Sequence, residues 1–221
     1  MRIHAPDICR ELTLVSQGFK LIAGIDEAGR GAWAGPVVAA ACILPLERAG
    51  LDMELRLVRD SKLLSPRQRD ACYSHITAIA TCWGVGIVSA TEIDLIGILP
   101  ATRMAMVQAV IALAQPPGLL MIDAARLPQL AIPQIVEPKS DLHYLSVASA
   151  SIIAKVTRDR LLVSLDVEFE GYGFARHKGY GTALHRAALA VLGVCGQHRR
   201  SYRPIRELIS VEQPVDSCFE G

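Results

Sequence analysis

The stretch "LIAGIDEAGRGAWAGPVVAAACIL" (21–44) decides how this chain is read. An apolar lead-in ends in two adjacent acids, Asp26 and Glu27, followed at once by Gly29-Arg30-Gly31 and a second apolar run. A strand buried on both faces cannot carry unpaired carboxylates in its middle, because taking an ion out of water is costly. Asp26 and Glu27 are therefore expected at a strand end, facing water or cations. "KLIAGID" (20–26) and "AGPVVAAACIL" (34–44) read as two strands joined by the Gly-Arg-Gly turn, an antiparallel hairpin. The alanines of the second run also suit a helix.

The same pattern recurs at "GLLMID" (118–123), a short apolar strand ending in Asp123. "CWGVGIVSA" (82–90) reads as a further strand and "AIPQIVE" (131–137) as a weaker one. Helices are predicted over 66–80, with Ser65 as N-cap and Pro66 at the first position, and from Pro100 to just before Pro116-Pro117. Thr91 is the expected cap of the short stretch "TEIDLIG". A long helical pattern runs from Asp141 to about residue 169, and a last helix covers about 182–193. Residues 1–19 read as an N-terminal segment, 20–209 as one domain without repeats or linkers, and 210–221 as a loose tail. Strands followed by helices alternating with further strands indicate an α/β domain, a mixed sheet with helices packed around it.

Composition sets the class. The chain has 221 residues, 51% hydrophobic and 20% charged, enough for a well-cored domain. No apolar run approaches the ~20 residues that cross a bilayer, and the N-terminus lacks an apolar signal core, so a cytoplasmic protein with no membrane partner is expected. Six cysteines without a CxxC pair suggest neither a disulfide framework nor a zinc knuckle. Net charge is only +1, yet residues 155–206 hold ten Lys and Arg against four acids, and the remainder thirteen against eighteen. An acidic part beside a basic part suits a polyanionic substrate. "GRGAWAG" is one residue too long for a dinucleotide fingerprint, and no phosphate-binding GxxxxGK[ST] occurs. His177, His185 and His198 match no zinc spacing and are expected to be surface or phosphate-facing residues.

Asp26, Glu27 and Asp123 at strand ends, with Asp141 in "EPKSD" at a helix start, form the oxygen donor set that a pair of hard divalent cations needs. Taken singly, Asp141 is also an ordinary N-cap and Asp123 an ordinary strand-end residue.

Six blocks, "GIDEAGRGAWAGPVVAAACILP", "DSKLLSPRQRD", "LLMIDA", "SASIIAKVTRDR", "HKGYGTALH" and "HRRSYRP", occur in order over roughly residues 20–206. Together they resemble the ribonuclease HII family, the type 2 ribonucleases H. The resemblance implies a ribonuclease H-like fold, with a central five-stranded mixed sheet flanked by helices and a helical C-terminal extension over about 170–209. It implies a monomeric endonuclease that cuts RNA in RNA–DNA hybrids and incises at ribonucleotides embedded in duplex DNA, using two Mg²⁺ or Mn²⁺ ions. By the same resemblance Asp26, Glu27, Asp123 and Asp141 are the catalytic, metal-holding acids; Asp159 in "VTRDR" is set aside as an ion-pair partner of Lys155. Gly29, Arg30 and Gly31 would grip the ribonucleotide through backbone groups, since two glycines let the chain approach a sugar closely. Tyr180 would stack on the sugar at the junction, or else packs beneath the last helix. Lys62, Lys178, Arg199 and Arg200 are candidate phosphate contacts, each readable equally as a solvated charge. Four positions depart from the family pattern: Ala32 where proline is usual, Leu63 for lysine, and Ala124 and Ser140 for glycine. If those glycines need positive φ, the neighbouring acids shift, which leaves a catalytically weak nucleic-acid-binding module as the alternative.

Overall fold

The alanine-rich run is a strand, and its small side chains let helices cover the sheet closely on both faces. The computed structural model describes residues 6–59, 61, 64–123 and 125–212. In it β1 (Ile22–Ala28) pairs antiparallel with β2 (Val37–Ile43), Asp26 lying opposite Ala40 and Ala28 opposite Val38. All seven residues of β2 are buried. The connection is longer than the expected tight hairpin: residues 29–36 form an irregular loop, and β2 begins at Val37 rather than Ala34. β3 (Cys82–Val88) pairs antiparallel with β2, while β4 (Leu119–Asp123) and β5 (Gln134–Glu137) add in parallel on the other side of β1. The sheet order β3-β2-β1-β4-β5 gives the five-stranded mixed sheet expected.

Side chains alternate across a strand, so β2 feeds two cores. Ala40 and Cys42 pack with Val147, Ala150, Ile153 and Ala154 of α6 (Leu145–Glu168). Ala39 and Ala41 pack with Ala105, Met106 and Ala109 of α5 (Ile98–Ile111). The approach of α6 is close enough that a Cβ on Gly24 would lie 2.2 Å from the Ser146 carbonyl carbon, so only glycine fits at that point of β1.

The remaining helices are α1 (Cys9–Ser16), α2 (Leu51–Glu54), α3 (Pro66–Ile79), α4 (Ala90–Ile96), α7 (Phe174–His177), α8 (Ala183–Leu192) and α9 (Arg203–Glu212). α3 starts as the sequence predicts, with a Ser65–Gln68 capping box. α4 is capped by Ser89 through a box with Glu92, not by Thr91. Both are good N-cap residues with an acid three positions on, but Glu92 folds back to the Ser89 amide whereas Asp94 is taken up by the amides of Arg200 and Ser201. The N-terminal segment is built into the fold, since Leu14 of α1 joins the core beneath the sheet. The helical C-terminal extension has its own small core around Tyr172, Phe174, Leu189 and Ile205. Its last helix continues past residue 209, where a loose tail was expected. Among the described residues, no helix is long and apolar enough to cross a membrane.

Candidate active site

Sheet register brings the acids together. Ile25 of β1 lies opposite Ile122 of β4 in a parallel pair, so the next residues, Asp26 and Asp123, emerge side by side at the C-terminal edge of the sheet. After β5 the chain makes a short 3₁₀ turn, Ser140–Leu142, which carries Asp141; the long helix starts only at Leu145, so Asp141 is not its N-cap. Ser140 fastens this turn to the strand ends. Its hydroxyl donates to the Glu137 carbonyl at 2.5 Å and its amide to Asp123 Oδ1 at 3.2 Å. The positive-φ positions outside glycine are Leu21, Lys139 and Lys178 among the described residues, so Ser140 needs no glycine-like backbone. Ala124 and Leu63 lie outside the described residues, as does Lys62.

Asp26, Glu27, Asp123 and Asp141 line one cleft of about 540 Å³, together with Gly29, Arg30, Gly31 and Tyr180, with Ser61 and Ser151, and with Lys155, which the sequence suggested only as an ion-pair partner of Asp159. Asp26 is only 6% exposed. Burial pushes its carboxyl well above the usual carboxylate range, and the charges of Glu27 and Asp123 add to this, against hydrogen bonds from Ser151 and the Glu27 amide. A carboxyl under such pressure gains from a nearby cation. Arg30 provides one for its neighbour: its Nη1 sits 3.1 Å from Glu27 Oε1.

Among the described residues the ligand-type donors of the cleft are oxygens, four carboxylates, two serine hydroxyls and the Tyr180 hydroxyl, with no histidine or cysteine. This set suits hard divalent cations such as Mg²⁺ or Mn²⁺. Among the described residues no three His, Cys, Asp or Glu are gathered tightly enough to enclose an ion alone. That is consistent with ions that keep water and take substrate oxygens as ligands. The residues present fit such a pair.

The start of the 29–36 loop, Gly29 to Gly31, and Tyr180 line the same cleft. Gly29 has φ +96°, and a Cβ there would fall 2.0 Å from Arg158 Nε, so both backbone and space demand glycine. Ala32, at the position where proline was expected, donates its amide to the Gly29 carbonyl at 3.3 Å, a turn-closing bond that proline could not make. Tyr180 is 36% exposed. Its ring lies 5.4 Å from the Arg158 guanidinium and 5.7 Å from Lys155 Nζ.

Several basic and histidine expectations are corrected. Arg199 is fully buried and cannot face a phosphate: it donates to the carbonyls of Gly35 and Arg30. Lys178 is half-buried, with Nζ donating to Ala175 O, and it borders a neighbouring groove rather than the acidic cleft. Arg200 is exposed, on a segment whose amide donates to Asp94 Oδ2 at 2.7 Å. His177, His185 and His198 are not surface residues. All three are buried, with His177 stacked on His185 and His185 Nε2 3.0 Å from His198 Nε2. Burial holds His185 and His198 down at about 4, so both are neutral. Asp159 pairs with Lys155 at 2.8 Å, as its spacing implies, though both are partly buried.

Ser151, Lys155 and Arg158 were not expected as site residues, yet they carry a signal. They stand four and three residues apart on α6, one face of the helix, and are polar within a run whose other members are mostly apolar.

The model of the Ribonuclease HII family matches residues 23–204. The chain is 52% identical over 210 residues to the Ribonuclease HII of Chloroflexus aurantiacus, covering 94% of this chain and 99% of that protein. It is 50% identical over 208 residues to that of Roseiflexus castenholzii, covering 94% and 93%. Among solved structures, ribonuclease H2 from Pyrococcus horikoshii superposes with a TM-score of 0.72 at 28% identity, covering 86% of this chain and 97% of that one.

Proposed function

The chain belongs to the ribonuclease HII family, endonucleases that hydrolyse RNA in RNA–DNA hybrids, and we propose that it also incises duplex DNA at single embedded ribonucleotides, with two divalent cations held by Asp26, Glu27, Asp123 and Asp141. The observation that carries this reading is one cleft lined by all four carboxylates together with Gly29, Arg30, Gly31 and Tyr180. Recognition and hydrolysis then act on the same nucleotide.

When bound, such cations supply Lewis acidity at the scissile phosphate and a water of lowered pKa. The carboxylates draw that charge to the C-terminal edge of β1 and β4. Lys155, in the same cleft, offers an ammonium to a phosphate oxygen. Among the described residues none accepts a hydrogen bond from the Arg30 or Gly31 amide, which leaves these donors for a sugar hydroxyl. Tyr180 presents a flat face to the following sugar, where a second 2′-OH would crowd it. Water adds to phosphorus and the 3′-oxygen leaves, giving 3′-hydroxyl and 5′-phosphate ends. The binding-module alternative rested on Ala124 and Ser140; the ordinary backbone at Ser140 withdraws half of that support.

The test is a labelled duplex carrying one ribonucleotide, incubated with the protein and Mg²⁺ or Mn²⁺ and run on a denaturing gel. One shortened strand with a 3′-hydroxyl end is expected, and no product from the all-DNA duplex. Cutting of a continuous hybrid without cutting of the one-ribonucleotide duplex would refute incision at single ribonucleotides.

A further inference from the structure

The loop 29–36 has no regular structure, so its carbonyls must find donors elsewhere. They find them on two elements remote in sequence. From α6, Arg158 donates through Nε to Pro36 O (2.9 Å), through Nη2 to Ala34 O (3.1 Å) and through Nη1 to Lys178 O (2.9 Å). From the C-terminal extension, Arg199 donates through Nε and Nη2 to Gly35 O (3.0 and 2.9 Å) and through Nη1 to Arg30 O (2.9 Å). The Tyr202 hydroxyl donates to the same Arg30 carbonyl and accepts from Arg199 Nη1 at 2.9 Å.

Both guanidiniums are fully buried, and among the described residues none of their hydrogen bonds goes to a carboxylate. A buried charge held only by neutral acceptors is a poor source of stability; well-packed apolar side chains often do as well. What this arrangement fixes is direction. The Arg30 carbonyl is drawn toward the extension, and since carbonyl and following amide share one plane, the Gly31 amide is fixed with it. Asp94 of α4 anchors the base of the latch, accepting from the amides of Arg200 and Ser201 at 2.7 and 2.9 Å and from the Ser201 hydroxyl at 2.6 Å.

We propose that Tyr202 and Arg199 are positioning residues for sugar discrimination, a latch by which the C-terminal extension presets the peptide plane between Arg30 and Gly31 that meets the ribose hydroxyl. The inference rests on the reading that residues 29–31 recognise that hydroxyl. Neither side chain lines the acidic cleft, so the latch acts on which nucleotide is accepted and leaves the carboxylates undisturbed.

The fold-sparing test is Tyr202→Phe, which removes one hydroxyl and keeps the ring against Arg199. Single-turnover rates and half-saturation concentrations are measured for a one-ribonucleotide duplex and a continuous RNA–DNA hybrid, with affinity for an all-DNA duplex as control. The maximal rate on the one-ribonucleotide duplex should fall roughly three- to tenfold, the loss of one hydrogen bond, with half-saturation and all-DNA affinity unchanged and the continuous hybrid affected less. Asp94→Ala, at the base of the latch, should move the ratio of the two rates in the same direction, and it serves alone if Tyr202→Phe does not fold. An unchanged ratio in a folded variant, or equal slowing on both substrates, overturns the latch. Wild-type protein that does not incise the one-ribonucleotide duplex at all would instead defeat the underlying reading of residues 29–31.

Discussion

Glu11 makes the stability of this fold depend on pH in an unusual direction. It lies on α1, fully buried, with Oε1 accepting the Ser146 amide at 3.0 Å in the first turn of α6. Burial pushes its carboxyl up to about 7 from 4.5, against the hydrogen bonds from Ser146 and Leu145. Between those values the folded chain holds a proton that the unfolded chain has lost. This contribution is therefore fully present below about pH 4.5 and disappears as pH rises through about 7. At ~1.4 kcal/mol per pKa unit, the shift corresponds to at most roughly 3 kcal/mol. Glu11→Gln keeps an acceptor for Ser146 and cannot ionise. Urea denaturation of both proteins at pH 5, 6.5 and 8 should show near-equal stability at pH 5 and a variant more stable by ~1–3 kcal/mol at pH 8. Taking the difference cancels the titration of other groups, including Asp26. A wild-type-minus-variant difference that stays flat across the three pH values refutes the assignment.

Asp141→Asn should abolish nearly all cleavage while far-UV circular dichroism and melting stay those of a folded chain, with a slight gain in melting temperature as like-charge repulsion in the cleft falls; full activity would remove Asp141 from the catalytic set. Arg200 and Arg199 should part company despite adjacency. Arg200→Ala should shallow the log–log dependence of substrate affinity on salt by about one unit, whereas Arg199→Ala should lower the melting temperature because buried carbonyls of Gly35 and Arg30 lose their donor. Fluorescence anisotropy titrations and thermal melts read the two effects separately.

The sheet and the acids were legible because both follow from local rules. Asp123 ends β4 as its apolar run suggests. β1 instead continues past Asp26 and Glu27 to Ala28, with Asp26 buried in the ladder, where a strand end facing water was expected. All three still line one cleft with Asp141. What sequence could not show was which charges go inside. Arg199 stands in the basic run "HRRSYRP" and has the spacing of a surface cation. It is buried because a loop 164 residues away presents a carbonyl without a donor. The histidines follow the same logic: their imidazole rings fill a small core around Phe174, with ring nitrogens bonded to the Tyr172 and Tyr180 carbonyls and between His185 and His198. Glu11 gave no signal either, since its partner is an amide at the start of a helix 135 residues on. Residue type fixes what a side chain can bond to, but only the assembled topology decides which carbonyl or amide comes within reach.

The separation of blocks along the chain acquires a physical reason from this. The four acids depend on β1, β4 and the 140–142 turn, all placed by sheet register and by α6. The loop 29–36 depends in addition on α6 through Arg158, on the Gly179 carbonyl that accepts from Trp33 at 2.8 Å, and on Arg199 and Tyr202. Three of the sequence blocks thus converge on one irregular loop, and two of the three belong to the C-terminal extension. Removing that extension would leave every carboxylate in place and strip the loop of most of its external donors. On the proposed function, the carboxylates and the loop that reads the sugar are therefore held by different parts of the fold, and a variant without the latch is expected to lose discrimination while keeping hydrolysis.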